Sequence, residues 1–333
     1  MFTTTVIRVG FTALVMLCAT SQAQQPAPQT TSLESAFYNR QYEQVAEALA
    51  AQKNKDLNSE IMAVSVAVAQ DSDDKEAMLN ALIKRHPENA EVHFVAGELW
   101  YQIKEQSNLF NKLGLVEKSN KHSIRAAELA PNNPKYLVAA AKALAIESGF
   151  WDSEKKASKA IVERLKDMDK HYYYLALMDY LQNTQNESLA LQTVDFVNQH
   201  YPHDIALVNR AANLLWTFSA KEQAQNLFAK GCQINNVATG LLPTWRDTCV
   251  SAAYLALQEH GDKQLAVDAM EHLISKEQVE DEQHIEYLML LGELSRAVKD
   301  NNKAKSAYQQ ALTLSNDSST KRDIRRALDK VSQ

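Results

Sequence analysis

Large and small hydrophobic residues recur in one fixed order along the C-terminal part of the chain. In the last stretch this order is carried by Leu288, Leu291, Gly292, Ala304, Tyr308 and Ala311. The same order begins again at His171 and at Ile205, each time with a large residue, then small ones, then a large one. Self-similarity at a period of about 34 residues indicates an array of repeated structural units.

Composition excludes several fold classes. The 333 residues include only 8 Gly and 7 Pro, whereas typical usage is roughly 7% and 5%. Sandwiches and barrels need turn glycines, and doubly wound folds need glycine-rich loops. The 45% hydrophobic and 23% charged residues argue against both wholesale disorder and a polytopic membrane protein. We therefore expect a mostly helical chain.

The repeated pattern resembles the tetratricopeptide repeat, a helix–turn–helix unit of about 34 residues. Gly292 and Ala304 match its small positions, where two helices approach closely, and Tyr308 matches the large residue that fills the joint with the neighbouring unit. The proline near the end of a unit is matched by Pro87, Pro131 and Pro202. The resemblance implies an all-α fold, a right-handed α–α superhelix of about seven helical hairpins plus a C-terminal capping helix.

We predict one helical-repeat domain over residues 32–333. Its better-defined units are expected at about 90–133, 134–170, 171–204, 205–238, 247–280 and 285–317. A degenerate unit begins near Leu57, and residues 32–52 form a further helix or helix pair. Extra residues at Glu105–Gly114 are either a second contact surface or a cap on a groove. The competing interpretation is a non-repetitive helical domain.

The first 23 residues have the parts of a secretory signal peptide. A basic start precedes an apolar stretch over residues 9–20, and small residues lead to a predicted cut after Ala23. The stretch is shorter than the ~20 residues that span a bilayer. A retained anchor and lipid attachment at Cys18 are the alternatives. We expect a flexible leader at 24–31 and a periplasmic protein, with no membrane insertion after cleavage.

The charged and polar residues offer no site for chemistry. Acidic residues outnumber basic ones, 41 to 35, and no basic stripe stands out, so nucleic acid is not expected as a partner. Glycine-rich phosphate loops, nucleophile elbows and zinc-binding helix motifs are absent from the sequence. His200 and His203 lack the further ligands that a metal needs. We therefore expect no catalytic residue, no metal and no cofactor.

Two cysteines remain once Cys18 leaves with the signal peptide. In the repeat frame, Cys232 lies in the last turn of one unit and Cys249 in the first turn of the next, on helices that should be packed neighbours. In an oxidising compartment such a pair is expected to form a structural disulfide, which would hold the connector Asn235–Trp245. Buried free thiols are the alternative, and the spacing of a redox-active pair is absent.

The resemblance also implies where a partner binds. The first helices of such repeats line a concave groove. Their groove positions here carry aromatic and amide side chains, which suit an extended peptide because rings supply apolar area and amides bond its backbone. The candidate partner-binding residues are Phe94, Glu98, Tyr101, Lys142, Tyr172, Asp179, Asn209, Asn213 and Trp216. Packing of Tyr101 and Trp216 inside the solenoid is the alternative.

The expected function is that of a non-enzymatic periplasmic scaffold that binds a protein or peptide in its groove. One alternative is a structural subunit of a cell-envelope assembly or secretion complex. Another is a helical-repeat enzyme acting on an envelope polymer, for which Asp179 and Glu98 are the groove acids to test.

Overall fold

The computed structural model describes residues 30–147, 152–184, 186–258, 261–277 and 281–331. Within these ranges the chain is α-helical and contains no strand. The predicted signal peptide and most of the predicted leader lie outside the described residues. Helix α1 begins at Thr30, so the last two residues of the predicted leader are helical.

Seventeen α-helices are present in the described residues, and the first sixteen form eight pairs along the chain. The first helices of the pairs are α1 (Thr30–Tyr38), α3 (Leu57–Ala69), α5 (Ala90–Gln106), α7 (Pro134–Glu147), α9 (Lys170–Thr184), α11 (Ile205–Thr217), α13 (Leu242–Gln258) and α15 (Glu282–Ala297). The second helices are α2 (Tyr42–Ala50), α4 (Lys75–Arg85), α6 (Lys112–Leu129), α8 (Asp152–Met168), α10 (Glu187–His200), α12 (Lys221–Cys232), α14 (Lys263–Lys276) and α16 (Asn301–Leu314). Helix α17 (Ser318–Val331) follows them.

The predicted all-α repeat fold is confirmed. The seven predicted hairpins correspond to α3–α16, the pair α1 and α2 accounts for the N-terminal segment, and α17 is the capping helix. One boundary differs, because α13 begins at Leu242 rather than Asp247. Pro243 lies in its first turn, where a missing N–H costs no hydrogen bond. The connector is therefore shorter than predicted and contains a 3₁₀ turn at Thr239–Leu241.

The chain divides into two compact units. The first comprises Met1–Phe37 and Gln41–Tyr180, and the second comprises Tyr38–Arg40 and Leu181–Gln333. In the first unit α3, α4 and α5 pack together, α5 packs on α6, α6 on α7, and α7 on α8. In the second, each helix from α10 to α16 packs on the next one. Neighbour-to-neighbour packing is typical of repeat proteins.

Glycine occupies the positions where the helices of a pair come closest. A Cβ atom on Gly292 in α15 would lie 2.4 Å from Cε1 of Tyr308 in α16, whose side chain is buried. In the first unit, a Cβ on Gly97 would lie 2.5 Å from Oγ of Ser123. The Ser119 hydroxyl also donates to the Gly97 carbonyl at 2.8 Å. Close helix contact is thus the physical reason for the repeated small residues.

Capping residues set the start of several helices. The side chains of Asn186, Asp204, Asp262, Asp281 and Asp300 each accept hydrogen bonds from backbone N–H groups two or three residues later. Such a cap satisfies donors that the first turn leaves without an intrahelical partner and contributes about 1 kcal/mol.

A disulfide joins α12 to α13. Cys232 and Cys249 are bonded to each other, as the sequence predicts, and both are fully buried. Trp245 lies beside the bridge, and its Nε1 donates to the Cys232 carbonyl at 2.8 Å. The short connector between the helices is therefore fixed at both ends.

Removing this bridge is expected to lower the free energy of unfolding by roughly 3 kcal/mol, because the bridge closes a loop of 17 residues in the unfolded chain. The measurement is urea denaturation of Cys232→Ala/Cys249→Ala against the oxidised wild type. Reduced wild-type protein is the matched control and should show a similar loss. Unchanged stability, or two free thiols in protein isolated without reductant, would contradict the prediction.

Candidate partner-binding site

The candidate residues fall into two sets, one in each compact unit. In the first unit, α5 carries Phe94, Glu98 and Tyr101, α7 carries Lys142, and α9 carries Tyr172 and Asp179. In the second unit, α11 carries Asn209, Asn213 and Trp216. The two sets differ in how much of their polar surface is left for a partner.

Tyr101 is the centre of a half-buried face on α5 and α7. Glu98, Tyr101, Lys104 and Lys142 form this face, hereafter the Tyr101 face, and all four side chains are only partly buried. Lys104 Nζ lies 3.6 Å from the Tyr101 ring centroid, and Lys142 Nζ lies 5.2 Å from it. A cation over a ring at an exposed site contributes about 0.5–1 kcal/mol. Two lysines therefore fix this ring in place.

Sequence reasoning found Tyr101 and Lys142 but missed Lys104. The signal was available, because residues three apart on a helix are surface neighbours and Lys104 follows Tyr101 at that spacing. Lys104 Nζ also lies 2.5 Å from Oε1 of Glu105. Lys104 is thus held by both a ring and a carboxylate.

Phe94 is buried and packs against residues of α7. Its ring lies 5.3 Å from that of Tyr136, and Lys135 Nζ lies 4.2 Å from the Phe94 ring. Glu91 accepts a hydrogen bond from the Tyr136 hydroxyl and lies 3.6 Å from Lys135 Nζ. Phe94 is 6% exposed, so its contacts lie inside the first unit.

The two candidates on α9 also differ in exposure. Tyr172 is half-buried and packs edge-to-face against His171, with ring centroids 5.1 Å apart. Asp179 is 1% exposed. A carboxylate at that depth is shielded from a polymer or a peptide. Asp179 therefore gives no support to the enzyme alternative.

Asn209 and Asn213 belong to a hydrogen-bond network inside the second unit. The Asn209 amide donates to Asp247 Oδ2 at 3.1 Å and to Thr248 Oγ1 at 3.0 Å. The Asn213 amide donates to Oδ1 of Asn209 at 3.0 Å. Burial raises the pKa of Asp247 to about 6, against the opposing effect of the Asn209 hydrogen bond. Both amides are thus engaged within the chain, a network that the sequence pattern did not indicate.

For Trp216 the sequence left two interpretations open, partner binding and packing inside the solenoid, and the structure shows a side chain that is only partly packed. It is half-buried, and its ring packs edge-to-face on Phe228 with centroids 6.5 Å apart. Phe228 is fully buried. Part of the Trp216 ring therefore serves the core of the second unit.

The described residues contain no group of three or more His, Cys, Asp or Glu placed to hold a metal. A partly buried pair that sequence reasoning missed joins α5 to α6, where Nδ1 of His93 lies 2.8 Å from Nδ1 of His122. Burial, with a smaller effect of His93, lowers the pKa of His122 to about 4.

Among the helices that the structure describes, none combines the length and the hydrophobicity needed to cross a bilayer.

Neither a family model nor a curated protein matches the sequence. Several solved structures match the fold. Yeast Tom70 matches with a TM-score of 0.53 and 11% identity, over 98% of this chain and 68% of the Tom70 chain. A human IFIT1 dimer with PPP-AAAA matches with a TM-score of 0.46 and 13% identity, over 89% of this chain and 68% of that one.

A third match is the APC/C hetero-tetramer Cut9-Hcn1, with a TM-score of 0.42, 15% identity and 89% of this chain covered. This chain spans about half, 55%, of the matched chain in that assembly. At such identities the likeness shows the fold alone. With Tom70 the chain shares the all-α helical-repeat fold of tetratricopeptide-repeat proteins, which confirms the resemblance at the level of the fold.

Proposed function

We propose that this chain is an exported, non-enzymatic binding protein that holds a protein or peptide partner on the first helices of its repeats. The Tyr101 face is the single observation that carries the proposal. It combines a fixed aromatic ring, two lysines and a glutamate on neighbouring first helices, and all four side chains remain partly exposed. Fixed aromatic side chains of this kind dominate binding energy at interfaces.

The chemistry of the Tyr101 face favours an extended segment that carries carboxylates or exposed backbone carbonyls. The ring supplies apolar contact area, and the ammonium group of Lys142 is a donor only, so it selects acceptors. Lys104 is paired with Glu105 and serves to fix the ring. The amides of Asn209 and Asn213 are already bonded within the chain. Binding is therefore assigned to the first unit ahead of α11.

Export is supported by two independent features. Residues 1–23 have the pattern of a secretory signal peptide. Cys232 and Cys249 are paired, and structural disulfides persist mainly in oxidising compartments. Cell fractionation followed by mass spectrometry is expected to find the protein in the periplasm with Gln24 as its first residue. Recovery in the cytoplasm with residues 1–23 still attached would contradict export.

The binding proposal predicts that Tyr101→Ala/Lys142→Ala reduces crosslinking to specific envelope proteins by about tenfold, which is the effect of losing an interface hot spot. The measurement is in-cell crosslinking of the tagged, processed protein followed by quantitative mass spectrometry. Tyr101→Phe keeps the ring and should retain the partners. Lys121→Ala removes an exposed lysine on α6 and should also retain them.

Two outcomes would contradict this proposal. An unchanged partner set in the Tyr101→Ala/Lys142→Ala variant would exclude the Tyr101 face as the binding site. No partner above background with the wild type would argue against protein binding altogether, and an activity screen on envelope polymers would then test the enzyme alternative.

A further inference from the structure

The three residues Tyr38–Arg40 pack with the second unit, although the residues on either side of them in the sequence belong to the first. Tyr38 is 1% exposed and Arg40 is 7% exposed. The backbone of Arg40 has a φ of 65°, in the left-handed region that arginine rarely adopts. The Gln41 N–H donates to the Ala36 carbonyl at 2.9 Å, so this backbone turn is the left-handed cap that ends α1, and Asp71, Ser219 and Lys299 occupy the same kind of cap. The contacts with the second unit are therefore made by the Arg40 side chain and the Tyr38 carbonyl.

The guanidinium of Arg40 is enclosed by polar groups from α15, from its N-cap residue and from the residue that follows α14. Its Nη2 lies 2.5 Å from Glu277 Oε2, and its Nε lies 3.2 Å from Asp281 Oδ2. Its Nη1 donates to Gln283 Oε1 and lies 3.5 Å from the Tyr287 hydroxyl. The Tyr287 ring centroid is 5.5 Å from the Arg40 Cζ. Nη1 and Nη2 thus each donate a hydrogen bond, whereas Nε is within ion-pair distance of Asp281 without a hydrogen bond to it.

The second unit also contacts the main chain of this segment. Arg246 in α13 donates from Nη1 to the carbonyl of Tyr38 at 2.7 Å, and its Nε lies 2.5 Å from Glu277 Oε1. Arg246 therefore holds the Glu277 carboxylate in place and at the same time binds the backbone two residues before Arg40. Contact with both a side chain and its backbone is how peptide-recognition sites gain specificity and affinity.

The charges around Arg40 require a cation at this position. Without Arg40, the buried Glu277 carboxylate would keep only the guanidinium of Arg246, and the partly exposed Asp281 would lose its ion pair with Arg40 Nε. Burial and neighbouring carboxylates raise the pKa of Glu286 to about 7, and Arg40 opposes this rise. An uncompensated buried carboxylate is costly, so an empty pocket would favour a ligand that brings a positive charge.

We propose that Arg246, Glu277, Asp281, Gln283 and Tyr287 form an arginine-recognition site for peptides, the Arg40 pocket, whose built-in occupant is Tyr38–Arg40. A partner segment with an exposed arginine would have to displace this occupant. Because the occupant is tethered, it competes at an effective concentration of about millimolar, which closes the pocket to weak ligands. The site is independent of the Tyr101 face, so either proposal stands if the other fails.

The test uses the full processed chain with Arg40→Ala and a fluorescent peptide spanning residues 35–43. Fluorescence anisotropy is expected to show peptide binding at least about tenfold tighter to Arg40→Ala than to the wild type, because the tethered competitor is lost. Adding Asp281→Asn should weaken that binding by at least about fivefold. A peptide with Gln in place of its arginine is the matched control and should not bind.

A second measurement keeps the proposal testable if Arg40→Ala does not fold. Excess unlabelled peptide is added to the wild type, and hydrogen exchange is followed at Asn39–Tyr42. Displacement of the built-in segment should accelerate exchange there, and the Gln peptide should have no effect. The proposal is overturned if folded Arg40→Ala binds the peptide no tighter than the wild type does. Unchanged exchange at millimolar peptide would overturn it as well.

Discussion

Glu277→Gln is expected to lower the free energy of unfolding by about 3–5 kcal/mol, because it leaves two buried arginines without their shared carboxylate. The Glu277 side chain is 1% exposed and lies 2.5 Å from guanidinium nitrogens of both Arg40 and Arg246. A neutral amide offers one acceptor where the carboxylate offered two, and it places its NH₂ group against one guanidinium. Two like charges then remain close together in the interior.

The measurement is urea denaturation followed by circular dichroism and tryptophan fluorescence. Glu271→Gln is the matched control in the same unit, because Glu271 lies 2.7 Å from Lys303 Nζ with both side chains partly exposed. An exposed pair of this kind contributes about 0–1 kcal/mol. A loss for Glu277→Gln no larger than that for Glu271→Gln would show that the Arg40 pocket is energetically like a surface ion pair.

A third variant separates isolated charge from lost packing. Replacing Arg40, Glu277 and Arg246 together with Met, Leu and Met removes the whole triad and keeps side-chain volume. Apolar replacement of a buried ion cluster is often neutral or stabilising, so this variant should be more stable than Glu277→Gln. If it is equally unstable, packing rather than unpaired charge accounts for the loss.

The helical pairs could be predicted because their signal is local. Small residues such as Gly292 stand at fixed offsets from large ones such as Tyr308, and the structure shows the helix contact that enforces this spacing. The start of α13 was misplaced because Pro243 was interpreted as part of a connector, whereas the first turn of a helix tolerates proline. The error came from one residue with two common structural roles.

The Arg40 pocket could not be predicted because no local pattern encodes it. Arg40 lies 237 positions before Glu277 and 247 before Tyr287 in the sequence. The repeat frame assigns groove positions only within the first helices, so it includes Tyr101 and Lys142 but says nothing about which side chains are already bonded. The bond from Asn209 to Asp247 depends on how α11 and α13 pack, which the spacing alone does not fix.

Trp100→Ala is expected to lower the free energy of unfolding by about 3–5 kcal/mol, with the effect confined to the first unit, because it leaves a cavity beneath α6. Trp100 in α5 is 1% exposed, and Lys118 Nζ lies 4.1 Å from its ring centroid. Each repeat contacts mainly its neighbours. The damage should therefore spread along α3–α8 and leave the disulfide-bonded helices α12 and α13 folded.

Limited proteolysis and urea denaturation check this expectation together. Trp100→Phe should recover part of the loss because it refills part of the cavity. Trp216→Ala is the matched control in the second unit, where the half-buried ring should contribute less. If Trp100→Ala and Trp216→Ala lower the free energy of unfolding equally, burial does not determine how much each ring contributes to stability. If instead both units unfold together in Trp100→Ala, the chain behaves as one cooperative block, and stability is not the sum of neighbouring repeats that its fold implies.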